Sequence, residues 1–293
     1  MNSPKLNILV SYVYWSDKIE ELLLQNQDKV RFLLDSGAFT AWKQKKTITV
    51  DQYMRFLDDL KIEPWRYFTL DVIGDAKKTD EQYKEMLKCG FKPIPIFTRG
   101  EDFGKINELY ETSDLVALGG LVGTPKNKGY VKRCMREIGD RKVHWLGFTN
   151  QDFLAYYKPY SCDSSSWENT VRYGNLDFYI GKGQWFKINR KYFINNPPLK
   201  VKRLIELYGE LYQKIGLKEE WSHSGVYEKN IIDRIPPKSW VLNSIDIEKV
   251  FQSKFFLSAS TIGDMRGLTL AYNFWQKKGM FKNEKGIGIL WRP

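Results

Sequence analysis

The chain is poor in the residues that bind metals and cross-link proteins. It has three cysteines, Cys89, Cys134 and Cys162, far apart and odd in number, and two histidines, His144 and His223. That scarcity argues against a disulfide framework and a cysteine-based zinc site, and it suggests a reducing compartment. No stretch approaches the roughly 18 apolar residues of a membrane span, so no membrane association is expected. The opening residues, Met1-Asn2-Ser3-Pro4-Lys5, run straight into an apolar strand and lack the layout of a secretory signal. Internal repeats and low-complexity tracts are missing too.

What is present is core-forming material and positive charge. The 293 residues are 42% hydrophobic and 15% aromatic, which suffices for one large barrel-type domain or two smaller ones. Formal charge is +11 and the isoelectric point lies near 9.3. A basic, aromatic-rich chain suits a polyanionic partner such as nucleic acid, although solubility alone also accounts for such a charge.

Short apolar runs recur at Leu6–Tyr12, Arg31–Leu34, Tyr67–Leu70, Lys92–Phe97, Leu115–Leu118, Lys142–Gly147 and Tyr160–Cys162. Between them, Asp17–Gln27, Val50–Leu60, Thr79–Cys89, Lys105–Glu111 and Val131–Gly139 mix apolar residues at helical spacing with Lys and Glu. This β-α-β-α rhythm predicts an α/β fold with a parallel sheet. Seven strands before residue 165 predict closure into an eight-strand (β/α)8 barrel of TIM type. The eighth strand is expected at Phe255–Ala259 and the closing helix at Gly267–Lys277.

Most runs end in a turn loaded with polar or small residues. Asp35-Ser36-Gly37, Asp71 to Asp75, Thr98-Arg99-Gly100, Gly119 to Gly123, Gly147 to Asn150 and Asp163 to Ser166 all fall on one side of such a barrel. One Asp-Ser-Gly turn is an ordinary cap; six in phase mark a site. Asp35 and Asp163 stand out, because each closes an apolar run and opens a small-residue turn. Two carboxylates at strand exits can share the work at one sugar carbon, one as nucleophile and one as acid/base.

The rhythm breaks near residue 172. From Arg172 to Arg203 the chain carries Arg172, Lys182, Lys187, Arg190, Lys191, Lys200, Lys202 and Arg203 against the single acid Asp177. Tyr173, Phe178, Tyr179, Trp185, Phe186, Tyr192 and Phe193 are interleaved, and Gly181-Lys182-Gly183 reads as a hairpin turn. Cations that hold phosphate and aromatics that stack on unpaired bases suit a nucleic-acid surface. A plain hairpin with aromatics inward and lysines outward fits the same pattern. Lys200–Leu217 reads as an amphipathic helix, and Pro236-Pro237 as a break. The whole of 1–293 is thus expected to be one barrel domain, with 172–250 a basic, aromatic-rich, nucleic-acid-binding insertion before the last strand and helix.

Asp35-Ser36-Gly37-Ala38-Phe39, Gly119-Gly120-Leu121-Val122-Gly123, Leu146-Gly147 and Cys162-Asp163 occur in an order and spacing that resemble the tRNA-guanine transglycosylase family. The resemblance covers roughly residues 5 to 167. It implies a (β/α)8 barrel that exchanges guanine for a 7-deazaguanine base in a polynucleotide. On that resemblance Asp163 is the nucleophile at the sugar C1′, and Asp35 the acid/base for the departing and entering bases. Asp71 reads the Watson–Crick edge; Ser36, Gly120 and Leu121 line the base pocket; Phe39 and Leu146 cover the two faces of the heterocycle. The family's Cys-x-Cys-x-x-Cys…His zinc cluster has no counterpart here, and its Thr-Arg after the nucleophile is replaced by Ser164-Ser165-Ser166-Trp167. A zinc-free version resembles the DNA-acting branch found in bacteriophages and bacterial DNA-modification clusters. The resemblance therefore implies DNA as partner, a free preQ0-like base as co-substrate, no metal or other cofactor, a cytoplasmic setting (the host's, for a viral protein) and room for a helper protein. The same exchange on tRNA, and a catalytically inactive nucleic-acid-binding barrel, are the alternatives.

The remaining residues read more plainly. Asp75 caps the helix that follows it. Arg99 touches phosphate or pairs with an acid. Cys162 is a packed strand residue, and His144 a pocket-lining or core histidine and no metal ligand. Trp167 is either a lid over the sugar or a core tryptophan. Gly123 to Lys128 resembles a phosphate-cradling loop only loosely and lacks Walker spacing.

Overall fold

The computed structural model describes residues 4–121, 127–168, 175–189, 199–209 and 235–282. In chain order its strands are β1 (Leu6–Ser11), β2 (Val30–Asp35), β3 (Arg66–Tyr67), β4 (Ile96–Phe97), β5 (Leu115–Leu118), β6 (Lys142–Trp145), β7 (Ser161–Ser164), β8 (Asn175–Gly181), β9 (Gln184–Asn189) and β10 (Lys254–Ala259). β8 and β9 form a separate antiparallel hairpin. The other eight make one parallel sheet in the order β3-β2-β1-β10-β7-β6-β5-β4. The two ends of that order are joined: Phe68 bridges Ile94 in parallel, the Thr69 N–H donates to Ile94 O at 3.0 Å, and the Ile94 N–H donates to Tyr67 O at 2.8 Å. The sheet therefore curls back on itself, as a TIM-like α/β fold does. The expected eighth strand is β10, seated between β1 and β7.

The helices are α1 (Asp17–Gln25), α2 (Ala38–Lys43), α3 (Val50–Asp59), α4 (Ala76–Lys88), α5 (Gly104–Thr112), α6 (Asn127–Ile138), α7 (Gln151–Tyr157), α8 (Leu199–Leu207), α9 (Ile235–Phe251) and α10 (Ile262–Lys277). Local chemistry sets their starts. Ser16 Oγ accepts from the Ile19 N–H, Thr49 and Gln52 form a capping box, and Asp75 Oδ1 accepts from the Lys78 N–H at 3.0 Å. The short α2 and α7 were not legible as helices, since six or seven residues show too little periodicity. Pro236-Pro237 is corrected: the two prolines start α9 instead of breaking the chain, because first-turn N–H groups need no intrahelical partner. The helix expected over 200–217 is α8 as far as Leu207, and residues beyond Gly209 lie outside the described set.

The chain gathers into two compact units. The first comprises Lys5–Ser164 and Phe251–Met265, and so contains the whole eight-strand sheet; the second comprises Met1–Pro4, Ser165–Val250 and Arg266–Pro293. The stretch 172–250, set apart by its composition, falls in the second. Inside the curled sheet Leu9, Leu33, Phe68, Ile94, Ile96, Leu115, Ala117 and Phe256 pack together, with Trp65, Leu146 and Tyr160 against them. Burying each Leu, Ile or Phe among them contributes roughly 1.5–3 kcal/mol. β1 is buried at every position, as a strand covered on both faces is.

In the second unit the hairpin is pinned by buried polar bonds. Tyr179 OH donates to Asp246, the Lys182 N–H donates to Asp246 Oδ2 at 3.0 Å, and Tyr208 OH donates to Tyr179 O at 2.7 Å. Phe178 and Tyr179 are buried.

Candidate active site

Period-two alternation carries the inward face of the sheet from apolar to polar at its carboxyl end. On β2, Leu33 lies in the interior cluster and Asp35 follows on the same face. On β1, Leu9 is followed by Ser11, and Ser11 pairs in register with Asp35. On β7, Ser161 and Asp163 share the inward face, since both contact His144 of β6. β2 and β7 are separated by β1 and β10, a span of about 14 Å around the sheet from ordinary strand spacing. Both carboxylates project to the same inner rim.

Asp35 is partly open to water, yet the protein around it dominates its titration. Burial first, then the Asp71 carboxylate, push it up to about 7; the Gly37 N–H, donating to Oδ2 at 3.0 Å, draws it partway back, and the charge of Asp163 adds to the rise. The nearby Ser11 hydroxyl lowers it slightly without completing a well-formed hydrogen bond. At neutral pH Asp35 can thus hold a proton and give it up, as a general acid must. Asp71 is also raised, by burial, against the hydrogen bond that Ser36 Oγ donates to its Oδ1 at 3.1 Å.

Asp163 is buried on an inward strand position. Its Oδ1 accepts from the Gly147 N–H at 2.9 Å and lies 3.2 Å from His144 Nε2. His144 Nδ1 lies 2.8 Å from Ser161 Oγ. The network is satisfied when Nε2 carries the proton toward Asp163 and the Ser161 hydroxyl donates to Nδ1. The ring is wholly buried, 4.9 Å from the Phe68 centroid. Although serine, histidine and aspartate are aligned, Ser161 is fully buried beneath Asp163 and so is unsuited to be a hydrolytic nucleophile. His144 holds Asp163 in place.

The other expected site residues fall as follows. Ser36 is buried and engaged by Asp71. Leu146 follows β6 on the inner face, packed on the interior cluster. Gly120 turns with φ +68°, and a Cβ there would sit 2.8 Å from Arg99 Cβ; Leu121 is buried. Phe39 lies on the exposed side of α2, stacked on Trp42. Lys182 sits exposed in the β8–β9 turn, and Lys187 pairs with Asp177 at 3.3 Å while lying 5.7 Å from the Trp185 ring centroid. Arg172, Arg190 and Lys191 lie outside the described residues. Trp167 and Cys162 are buried, and Arg99 stacks 5.4 Å from the Tyr130 ring.

Three contributors escape a reading of the sequence. His144 as the partner of Asp163 had one signal, a polar residue in phase with inward positions of an apolar strand. Ser11 closes β1 much as Asp35 closes β2. Tyr53, buried on α3 with its OH donating to Phe68 O at 3.1 Å, is raised well above its ordinary value by burial and by Asp35; no local pattern marks it. Among the described residues no group of three His, Cys, Asp or Glu is arranged to hold a metal ion, and no helix is long and apolar enough to cross a membrane.

Compared with protein-family models, with curated proteins and with solved structures, the chain matches none.

Proposed function

We propose that the protein is a guanine transglycosylase built on a TIM-type (β/α)8 barrel, exchanging guanine in DNA for a free 7-deazaguanine base. The observation that carries this reading is the unlike pair of carboxylates on one inner rim: Asp35 held protonatable near neutrality, and Asp163 fixed by an amide and an imidazole. Pairs of acids with divergent environments divide acid and nucleophile roles between them.

Asp163 attacks the sugar C1′, the glycosidic bond breaks with its electron pair leaving on the base, and Asp35 delivers a proton to that base. The result is a glycosyl ester on Asp163 and an ionised Asp35. An incoming 7-deazaguanine loses its ring N–H proton to Asp35, its nitrogen attacks C1′, and Asp163 departs as a carboxylate. Atoms and charge balance with the free base as the only co-substrate. Asp71, with Ser36 on its Oδ1, supports recognition of the base edge. The target base must leave the stack to reach such a site. DNA is favoured over tRNA by the lack of a cysteine-histidine cluster in the sequence.

Labelled guanine incubated with the protein and either DNA or tRNA tests exchange and polymer together. Wild type is expected to label DNA and, under denaturing quench, to form a covalent adduct. Asp163→Asn is expected to lose both while still binding DNA. Adduct formation by that variant removes Asp163 from the nucleophile role, and guanine release leaving an abasic product would indicate a hydrolytic glycosylase.

A further inference from the structure

In the same unit as the two carboxylates, a cleft of about 420 Å³ runs between the turn after β1, α2 and α3. Lys46, Thr47, Gln52 and Arg55 line it with Tyr12 and Phe56, and Asp59 is the acid on its wall. α2 starts three residues after Asp35, and Tyr12 directly follows β1, so the cleft lies at the carboxyl ends of β1 and β2, the end that carries Asp35. On α2, Phe39 and Trp42 are 45% and 57% exposed. One helical turn apart, their rings stack at 6.0 Å and 26°. Lys43 Nζ lies 4.2 Å from the Phe39 centroid. Lys43, Lys45, Lys46 and Arg55 are all exposed and make no ion pair among the described residues. Two large aromatics left facing water forgo burial worth roughly 2 kcal/mol each in a core, and a patch of that kind marks a surface that is covered in use.

We propose that this face holds the unpaired strand next to the reacting nucleotide, with Trp42 and Phe39 stacking on bases and Lys43, Lys45, Lys46 and Arg55 taking phosphates. The inference rests on the polynucleotide reading above and adds to it where the flanking strand lies. Flat exposed rings accept any base, and the cations Lys43, Lys45 and Lys46 that follow them in the chain can take phosphates. The excess of cations over acids around the rings favours a polyanion over a second copy of this basic chain.

The test is anisotropy of a short labelled single-stranded oligodeoxynucleotide, without free base, so that no exchange occurs. Trp42→Ala is expected to weaken binding about tenfold, and Trp42→Phe to recover most of it. The double variant Lys45→Ala, Lys46→Ala is expected to lower the slope of log affinity against log salt by about 1.4. Trp42 is exposed, so circular dichroism should be unchanged. Affinity within about twofold of wild type for Trp42→Ala, or an equal loss on fully paired duplex, overturns the proposal. A shift in sedimentation with unaltered oligonucleotide affinity overturns it as well, and assigns the face to self-association. Because no turnover is required, the two readings fail separately. A protein inactive in exchange that still depends on Trp42 refutes the exchange reading, and an active one indifferent to Trp42→Ala refutes the strand-binding face.

Discussion

Asp35 sits where a carboxylate is useful and costly at once. Below about pH 4 both folded and unfolded chains keep its proton; between there and about 7 only the folded chain does; above 7 neither does. The folded state binds the extra proton, so stability falls as pH rises through that window. Above it the fold bears the full cost of a confined anion beside Asp71. Asp35→Asn keeps an oxygen for the Gly37 N–H and removes the charge. It should stabilise the protein by about 2 kcal/mol at pH 8, discounted for partial exposure, and by nothing below pH 4. Urea titrations at the two pH values read the difference; equal midpoint shifts at both would refute a confined, raised carboxyl. Asp35, Asp71 and Asp163 were legible in the sequence because each interrupts an apolar run. His144 was legible only as a pocket-lining or core histidine; its pairing with Asp163 was not, because that depends on the register that sets His144 opposite Ser161.

At the scale of the element, the Asp35-Ser36-Gly37 turn joins β2 to α2 at a tight approach. Gly37 has φ +77°, and a Cβ there would meet Val13 Cγ2 at 2.4 Å and Ser11 Oγ at 2.8 Å. Gly37→Ala therefore combines left-handed strain with a clash against the β1 turn. It should cost about 2–4 kcal/mol and displace the amide that bonds Asp35. Thermal unfolding measures the loss, and a melting point within a degree or so of wild type would show the turn to be slack. The turn itself was plain from Asp-Ser-Gly. The brevity of α2 hid the helix it launches, and with it the outward placement of Trp42.

At the scale of the whole chain, β10 arrives from residues 254–259 to fill the gap between β1 and β7. A chain ending at Ser164 would retain seven strands and leave two buried strands, β1 and β7, with open edges. Such a fragment is expected to aggregate or to unfold without cooperativity, read by sedimentation and urea titration. A soluble, cooperatively folded fragment would mean that β10 is dispensable to the sheet.

Alternating apolar runs and helical spacings determined the parallel α/β class, the places of the strands and the turns that carry the acids, because backbone hydrogen bonding and burial act over a few residues. Which side chains face one another was decided by register and by closure. Only with β6 and β7 paired in register does His144 meet Asp163, and only with Asp71 and the walls of the sheet around it is Asp35 held near neutrality. Those are electrostatic and packing effects between groups remote along the chain, and no local pattern encodes them.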